Sequence, residues 1–223
     1  MEHAPSTPSA CAGSPVDNTV ASADTRTTAT QGSTATPRVA LVTGAGKRLG
    51  RAIALALAQN GWDIGVHCRD SVAEAKQTVT DIQALGRRAV LLQADLDDAA
   101  QCQTLVARLA DALGPVSGLV NSASRFEYDD IRSFTPESLQ QHLVPNLMAP
   151  LLLAQSLVSQ LPAAPVQGVI VNLLDQKLFN LNPDFLSYTL SKAALSAATT
   201  MLAQALAPRM RVVGANADRK SVV

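Results

Sequence analysis

With 223 residues, 47% of them hydrophobic, the chain is long enough for one α/β domain with a real core. Its 18 basic side chains balance 18 acidic ones, which excludes a surface built to track a nucleic-acid backbone. No apolar run reaches membrane-spanning length, so neither nucleic acid nor membrane is expected as a partner.

The first 37 residues are dominated by Ser, Thr, Ala and Pro, without an aromatic residue or any periodicity. Such a segment cannot bury enough apolar surface to order itself. It lacks the apolar core of a secretory signal, and one Arg against three acids makes a poor transit peptide. Residues 1–37 are therefore expected to be a disordered tail, or translation from an upstream start. The three cysteines, Cys11, Cys68 and Cys102, are odd in number and widely spaced. They have neither disulfide-framework nor zinc spacing, which suits a reducing cytoplasm, and no metal is expected.

From Arg38 onward strand and helix patterns alternate. The first strand, 38–42, runs into Thr43-Gly44-Ala45-Gly46-Lys47-Arg48-Leu49-Gly50 and then a helix at 49–60. Strand, glycine turn and helix is the setting a dinucleotide site requires. Glycines let the backbone approach a pyrophosphate, and the helix N-terminus faces the anion. Lys47 lacks the glycine spacing and the following Ser/Thr of a Walker loop. A plain tight β–α turn shows the same residues, so the loop gains weight only beside a candidate catalytic pair elsewhere in the chain.

The second strand, 63–67, lies above Trp62 and ends His67-Cys68-Arg69-Asp70. NAD sites usually carry an acid at that strand end to hold the adenosine ribose. Here Cys68 stands there with Arg69 next to it, and a guanidinium binds phosphate well. Lys47, Arg48, His67 and Ser71 could reinforce the site, so NADP(H) is the expected cofactor. The alternatives are that Arg69 is a solvated loop cation, that Asp70 takes the ribose, and that His67 simply packs the strand end.

Further strands are expected at 88–93, 118–120, 168–173 and 210–213, with helices at 72–85, 99–113, 136–160 and 188–206. His142 falls in the fourth helix and reads as a surface or core residue rather than a ligand. This alternation implies a parallel sheet covered by helices on both faces. In the last helix Tyr188 and Lys192 are four apart and share a face. A phenol is a poor acid near neutral pH, but a cation within a few ångströms favours phenolate and lets the pair pass a proton.

Taken together these residues resemble the short-chain dehydrogenases/reductases, and within that superfamily the pteridine reductases, from about Arg38 to Val213. Thr43-Gly44-x-x-x-Arg48-Leu49-Gly50 matches that branch, with Arg48 in place of the usual middle glycine. Asn121-Ser122-Ala123-Ser124 is similar to the Asn-Asn-Ala-Ser segment after the fourth strand, with Ser122 a departure. Asn146 matches the helix asparagine of the catalytic tetrad. Asp175 stands thirteen residues before Tyr188, where most of the superfamily has serine and this branch has aspartate.

The resemblance implies a Rossmann-type doubly wound parallel sheet of order 3-2-1-4-5-6. It implies that Thr43, Gly44, Lys47, Arg48, Leu49, Gly50, His67, Arg69, Ser71, Asp95, Leu96, Asn121, Ser122, Ala123 and Ser124 bind NADP(H). Asp95 would contact adenine, although capping the following helix is a compatible reading. Tyr188 would donate the proton, Lys192 would hold the nicotinamide ribose, and Asn146 would support a water-borne relay. Asp175 would help protonate a ring nitrogen or orient an amino-pyrimidine. Phe126, beside Ser124, would stack a flat pterin on the nicotinamide; a core Phe in a loop is the other reading.

The expected activity is NADPH-dependent reduction of a dihydropterin or dihydrofolate C=N bond, in a homo-oligomer when full length. A generic carbonyl, 3-oxoacyl or sugar reductase and a non-catalytic NADP-binding module are the rivals. The family pattern continues past Val213 into a covering loop and a seventh strand. Here the chain instead closes on Asp218-Arg219-Lys220-Ser221-Val222-Val223, which resembles a translated sequencing adapter. Residues 214–223 are thus expected to be a non-family tail, the seventh strand to be missing, and the shortened chain to be a poor enzyme.

Overall fold

The computed structural model describes residues 38–161 and 168–217. The expected tail at 1–37 and the last six residues lie outside them. Six strands form one all-parallel sheet: β1 (Arg38–Val42), β2 (Trp62–Cys68), β3 (Ala89–Gln93), β4 (Val116–Asn121), β5 (Gly168–Asp175) and β6 (Met210–Ala217). Their order is β3-β2-β1-β4-β5-β6, the expected Rossmann-type sheet. No seventh strand is present among the described residues.

The apolar run of β1 shows why the sheet is covered on both faces. Val39 and Leu41 belong to one core, Ala40 and Val42 to the other, as the period of two dictates. The first core is closed by α3 (Ala99–Leu113) and α5 (Ala149–Gln160), with α6 (Leu186–Leu206) packed against it. The second is closed by α1 (Arg48–Gln59) and α2 (Val72–Ala84) through Ala54, Ala58, Ala75 and Ile82.

Two departures from the sequence pattern matter. The stretch 136–160 is not one regular helix. It comprises α4 (Pro136–Leu143), a π-helical turn at Val144–Met148, and α5. Pro145 has no N–H to donate back along the helix and its ring crowds the preceding turn. The ladder widens there, with the Ala149 N–H bonded to the Val144 carbonyl, and Asn146 is buried within the turn. By length and composition the whole stretch could cross a membrane, contrary to the sequence reading; Leu153, Ala154 and Leu157 instead enter the protein core. The second departure is β6, which continues four residues past Val213, paired with β5 as far as Asp175↔Ala217.

At the opposite end of the sheet from the strands' C-termini, Asp63 fastens β2 to the start of β3. Its buried carboxylate accepts from Arg88 N at 3.0 Å and Arg88 Nε at 2.7 Å, and pairs with Arg87 at 2.6 Å. Burial would raise its pKa, but the Arg88 hydrogen bonds and both guanidinium charges outweigh that and hold it below the usual range. Asp63→Ala strands these partners. With Arg88 half exposed, the expected loss is about 2–3 kcal/mol, below that of a fully buried pair, read as a lower melting temperature.

Candidate active site

Successive connections after β1 and β4 go to opposite faces of the sheet, so a crevice opens between their C-terminal ends. It is a cavity of about 810 Å³. Of the residues singled out in the sequence, Gly44, Lys47, Arg48, Leu49, Gly50, His67, Arg69, Ser71, Asp95, Leu96, Ser122, Ala123, Ser124, Phe126, Asp175, Tyr188 and Lys192 line it. Thr43, Asn121 and Asn146 do not.

The glycine loop is held by close approach. Gly44 has φ +65°, and a Cβ there would sit 3.1 Å from the Ala123 Cα. A Cβ on Gly50 would lie 2.2 Å from the Gly44 carbonyl oxygen, so only glycine fits. Arg48 is left-handed too, at φ +45°, although it is not glycine. That conformation costs roughly 1–2 kcal/mol and marks a position where the side chain is worth the strain. Lys47, the N-cap of α1, makes no side-chain cap, and no acid occupies the first turn. A helix start lining a cavity without a capping carboxylate suits an anion.

Two buried side chains fasten this loop. The Thr43 hydroxyl accepts from the Ser122 and Ala123 N–H groups, both at 3.0 Å, and so is structural rather than cavity-lining. The His67 Nδ1 accepts from Gly44 N at 3.2 Å, while its Nε2 lies 3.1 Å from the Ala94 carbonyl, which fixes Nε2 as the protonated nitrogen. Burial pushes the His67 pKa down to about 4. Asp95 is not the cap of α3: Asp98 is, accepting from Ala100 N and Gln101 N, while Asp95 closes only its own turn through Asp97 N.

Cations gather at this end, and Lys47 and Arg69 are already paired. Lys47 meets Glu74 at 2.7 Å, and Arg69 meets Asp70 at 2.7 Å and Asp97 at 3.8 Å. Glu74, Asp97 and Arg125 are cavity residues that the sequence reading missed, and Asp70, named there only as an alternative, lines it too. A charged residue directly after Ser124, in the loop leaving β4, was the available signal for Arg125.

At the other end Tyr188 and Lys192 share a face of α6 and both are buried. The Tyr188 hydroxyl donates to Asp175 Oδ2 at 2.6 Å. The Lys192 Nζ donates to the Leu173 carbonyl at 2.8 Å and lies 5.8 Å from the Tyr188 ring centroid. Burial lowers the Lys192 pKa to about 8, with the Asp175 charge pulling the other way. Phe126 stacks on Phe185 at 4.2 Å and meets Tyr188 edge-on at 4.6 Å.

Asn146 and Asn121 sit behind this wall. Asn146 Oδ1 accepts from Arg125 N and Ser124 Oγ, and its Nδ2 donates to the Arg125 carbonyl and Ser191 Oγ. Both lone pairs and both donors are taken, so the side chain clamps the Arg125 peptide. Asn121 donates to Asn172 Oδ1 at 2.8 Å, a buried cross-strand bond beneath the site.

The sequence and fold have known relatives. Residues 38–217 match the short chain dehydrogenase family pattern. The chain belongs to that family. An uncharacterised oxidoreductase of Methylorubrum extorquens is 35% identical over 77% of this chain and 68% of its own length. A 2-dehydro-3-deoxy-D-gluconate 5-dehydrogenase of Dickeya dadantii is 31% identical over 74% of this chain and 64% of its own. Among solved structures, FolM alternative dihydrofolate reductase 1 of Brucella suis, in complex with NADP, superposes with a TM-score of 0.75. It is 39% identical over 80% of this chain and 73% of that one.

His67 makes the glycine loop acid-sensitive. The folded chain holds the imidazole neutral down to about pH 4, whereas the unfolded chain protonates it near 6.5. Below 6.5 the unfolded state therefore binds the extra proton. Stability from this group is complete above that pH and falls by about 3 kcal/mol as pH drops from 6.5 to 4. Urea midpoints across that window should slope accordingly, and His67→Gln should flatten the slope.

Proposed function

We propose that the chain is an NADPH-dependent reductase acting on the C=N bond of a flat amino-heterocycle, a dihydropterin or dihydrofolate. The observation that carries this reading is the 2.6 Å bond between the Tyr188 phenol and the Asp175 carboxylate. The likeness to a dihydrofolate reductase crystallised with NADP supports it.

The glycine loop and the start of α1 fit a pyrophosphate, and Lys47, Arg48 and Arg69 supply cations for further phosphate. Bound NADPH supplies the hydride. Tyr188 gives its phenolic proton to the substrate nitrogen, so hydride and proton together saturate the C=N bond. Lys192, fixed on the Leu173 carbonyl, reaches the nicotinamide ribose and supplies positive charge beside the emerging phenolate. Asp175 orients the heterocycle by accepting from its ring N–H and amino groups. Phe126, backed by Phe185, offers an aromatic wall to a planar ring.

The second reading is a carbonyl reductase, favoured by the sugar-acid dehydrogenase among the relatives. Asp175 weighs against it. A ketone develops negative charge on oxygen, which wants a neutral donor rather than a buried carboxylate nearby.

Three variants test the proposal. Arg69→Ala should weaken NADPH binding about ten- to a hundredfold, the worth of roughly 1.5–3 kcal/mol for a charge-assisted phosphate contact, and leave NADH nearly unchanged. Equal losses for both cofactors overturn the NADP assignment. Tyr188→Phe should reduce turnover by about two to four orders of magnitude with cofactor binding intact. Asp175→Ser should depress pterin reduction and spare simple carbonyl reduction; untouched pterin turnover sinks the heterocycle reading while leaving the reductase standing.

A further inference from the structure

The helix that carries Tyr188 starts badly on its own. Its N-cap is Phe185, a residue with no side-chain acceptor, held at φ +58°. Leu186, Ser187 and Tyr188 are therefore the first turn, whose N–H groups have no carbonyl within the helix to accept them. The acceptor comes from 58 residues away. The Asp129 backbone carbonyl accepts from Leu186 N at 3.1 Å. Its carboxylate accepts from Ser187 N at 2.9 Å and, through the other oxygen, from the Ser187 hydroxyl. The same carboxylate accepts from Ser138 Oγ at 3.0 Å, a residue of the α4 capping box. His142, one turn along α4, donates from Nδ1 to the Ser138 carbonyl at 2.7 Å and accepts from Glu127 N at 3.2 Å. Residues 127–129, α4 and the start of α6 are thereby one hydrogen-bonded unit.

Asp129 is 3% exposed and faces no basic side chain within ion-pair distance among the described residues. Burial would raise its pKa, but the Ser187 and Ser138 hydrogen bonds outweigh this and keep it ionised at neutral pH. A buried carboxylate at a helix N-terminus is stabilised by the helix dipole, and here that N-terminus is the turn bearing the proton donor. No contact in the proposed chemistry uses it.

We infer that Asp129 is a positioning residue for Tyr188: it substitutes for the missing cap of α6 and so fixes the phenol against Asp175 and beneath Phe126. This rests on Tyr188 being the proton donor of the proposed reaction. With the clamp gone, the first turn is free to fray, and a displacement near 1 Å at a reacting group costs about a hundredfold in rate.

The test uses the full 223-residue chain. Asp129→Ala should lower kcat about ten- to a hundredfold, with NADPH affinity within about threefold of the parent. Asp129→Asn, which keeps the acceptor for Ser187 N, should recover much of the loss. Asp63→Ala, which loosens the far end of the sheet, serves as the stability control. If Asp129→Ala loses no more turnover than Asp63→Ala at matched folded fraction, the role is structural only and the inference fails. A second readout needs no substrate. The chain has two tyrosines, so in a Tyr128→Phe background the ultraviolet phenolate titration reports Tyr188 alone. Asp129→Ala should displace that titration, and Ser187→Ala should displace it partway. An undisplaced titration overturns the inference. Absence of any pterin turnover, even with a relative's C-terminal segment appended to the parent chain, would instead sink the proposed function, with the titration still deciding the clamp.

Discussion

A phenol and a carboxylate held 2.6 Å apart in a buried site constrain everything around them. Asp175 stands at the last residue of β5 and Tyr188 in the first turn of α6. Neither position is rigid by itself, since strand ends and helix starts are where backbone groups lose their partners. The surrounding polar contacts supply what is missing. The other Asp175 oxygen caps the 3-10 turn at Gln176–Phe179 through Lys177 N. Lys192 ties α6 back to β5 at Leu173, and Asn146 grips both Ser191 on α6 and the Arg125 peptide. Each bond is worth only about 1 kcal/mol net, yet leaving any of these buried groups unpaired costs more. The network therefore specifies geometry more than it adds stability.

Strain is distributed to the same purpose. Among the described residues two non-glycine residues are left-handed: Arg48, in the crevice lining, and Phe185, the N-cap of α6. Glycine would relieve the backbone at either position. Arg48 brings a guanidinium into the cavity lining, and Phe185 brings a ring that stacks on Phe126 and meets Tyr128 edge-on. Conformational cost of roughly 1–2 kcal/mol at each point is offset by contacts that only the side chain can make.

Much of this was legible in the sequence because it is periodic or local. The alternation of apolar runs implied the parallel sheet, and the i, i+4 spacing put Tyr188 and Lys192 on one face. The strand order came by resemblance, which the glycine loop after β1 made specific. The parts that escaped are non-local. Nothing in the spacing links Asp129 to Ser187, because a cap borrowed across 58 positions has no pattern of its own. The β6 extension through Gly214, Ala215, Asn216 and Ala217 has poor intrinsic strand propensity. It forms because residues 172–175 of β5 offer a ladder, a case of tertiary context overriding preference. Asn146 was found by its resemblance, but the partners of its side chain were not legible. Its bonding capacity is exhausted by neighbours that only the π-helical turn brings into reach.

The cofactor end obeys a different balance. Two of its cations are paired before any phosphate arrives: Lys47 with Glu74, Arg69 with Asp70. These pairs are exposed, so they are weak and screened by salt. A phosphate contact with a guanidinium exceeds that, at roughly 1.5–3 kcal/mol. Exchange of carboxylate for phosphate is therefore favourable, while the resident acids keep the groove from accumulating uncompensated positive charge. Under the proposed function, selectivity for a phosphorylated ribose would come from the difference between these modest terms. At the catalytic end the buried Tyr188–Asp175 bond and the contacts around it set the geometry.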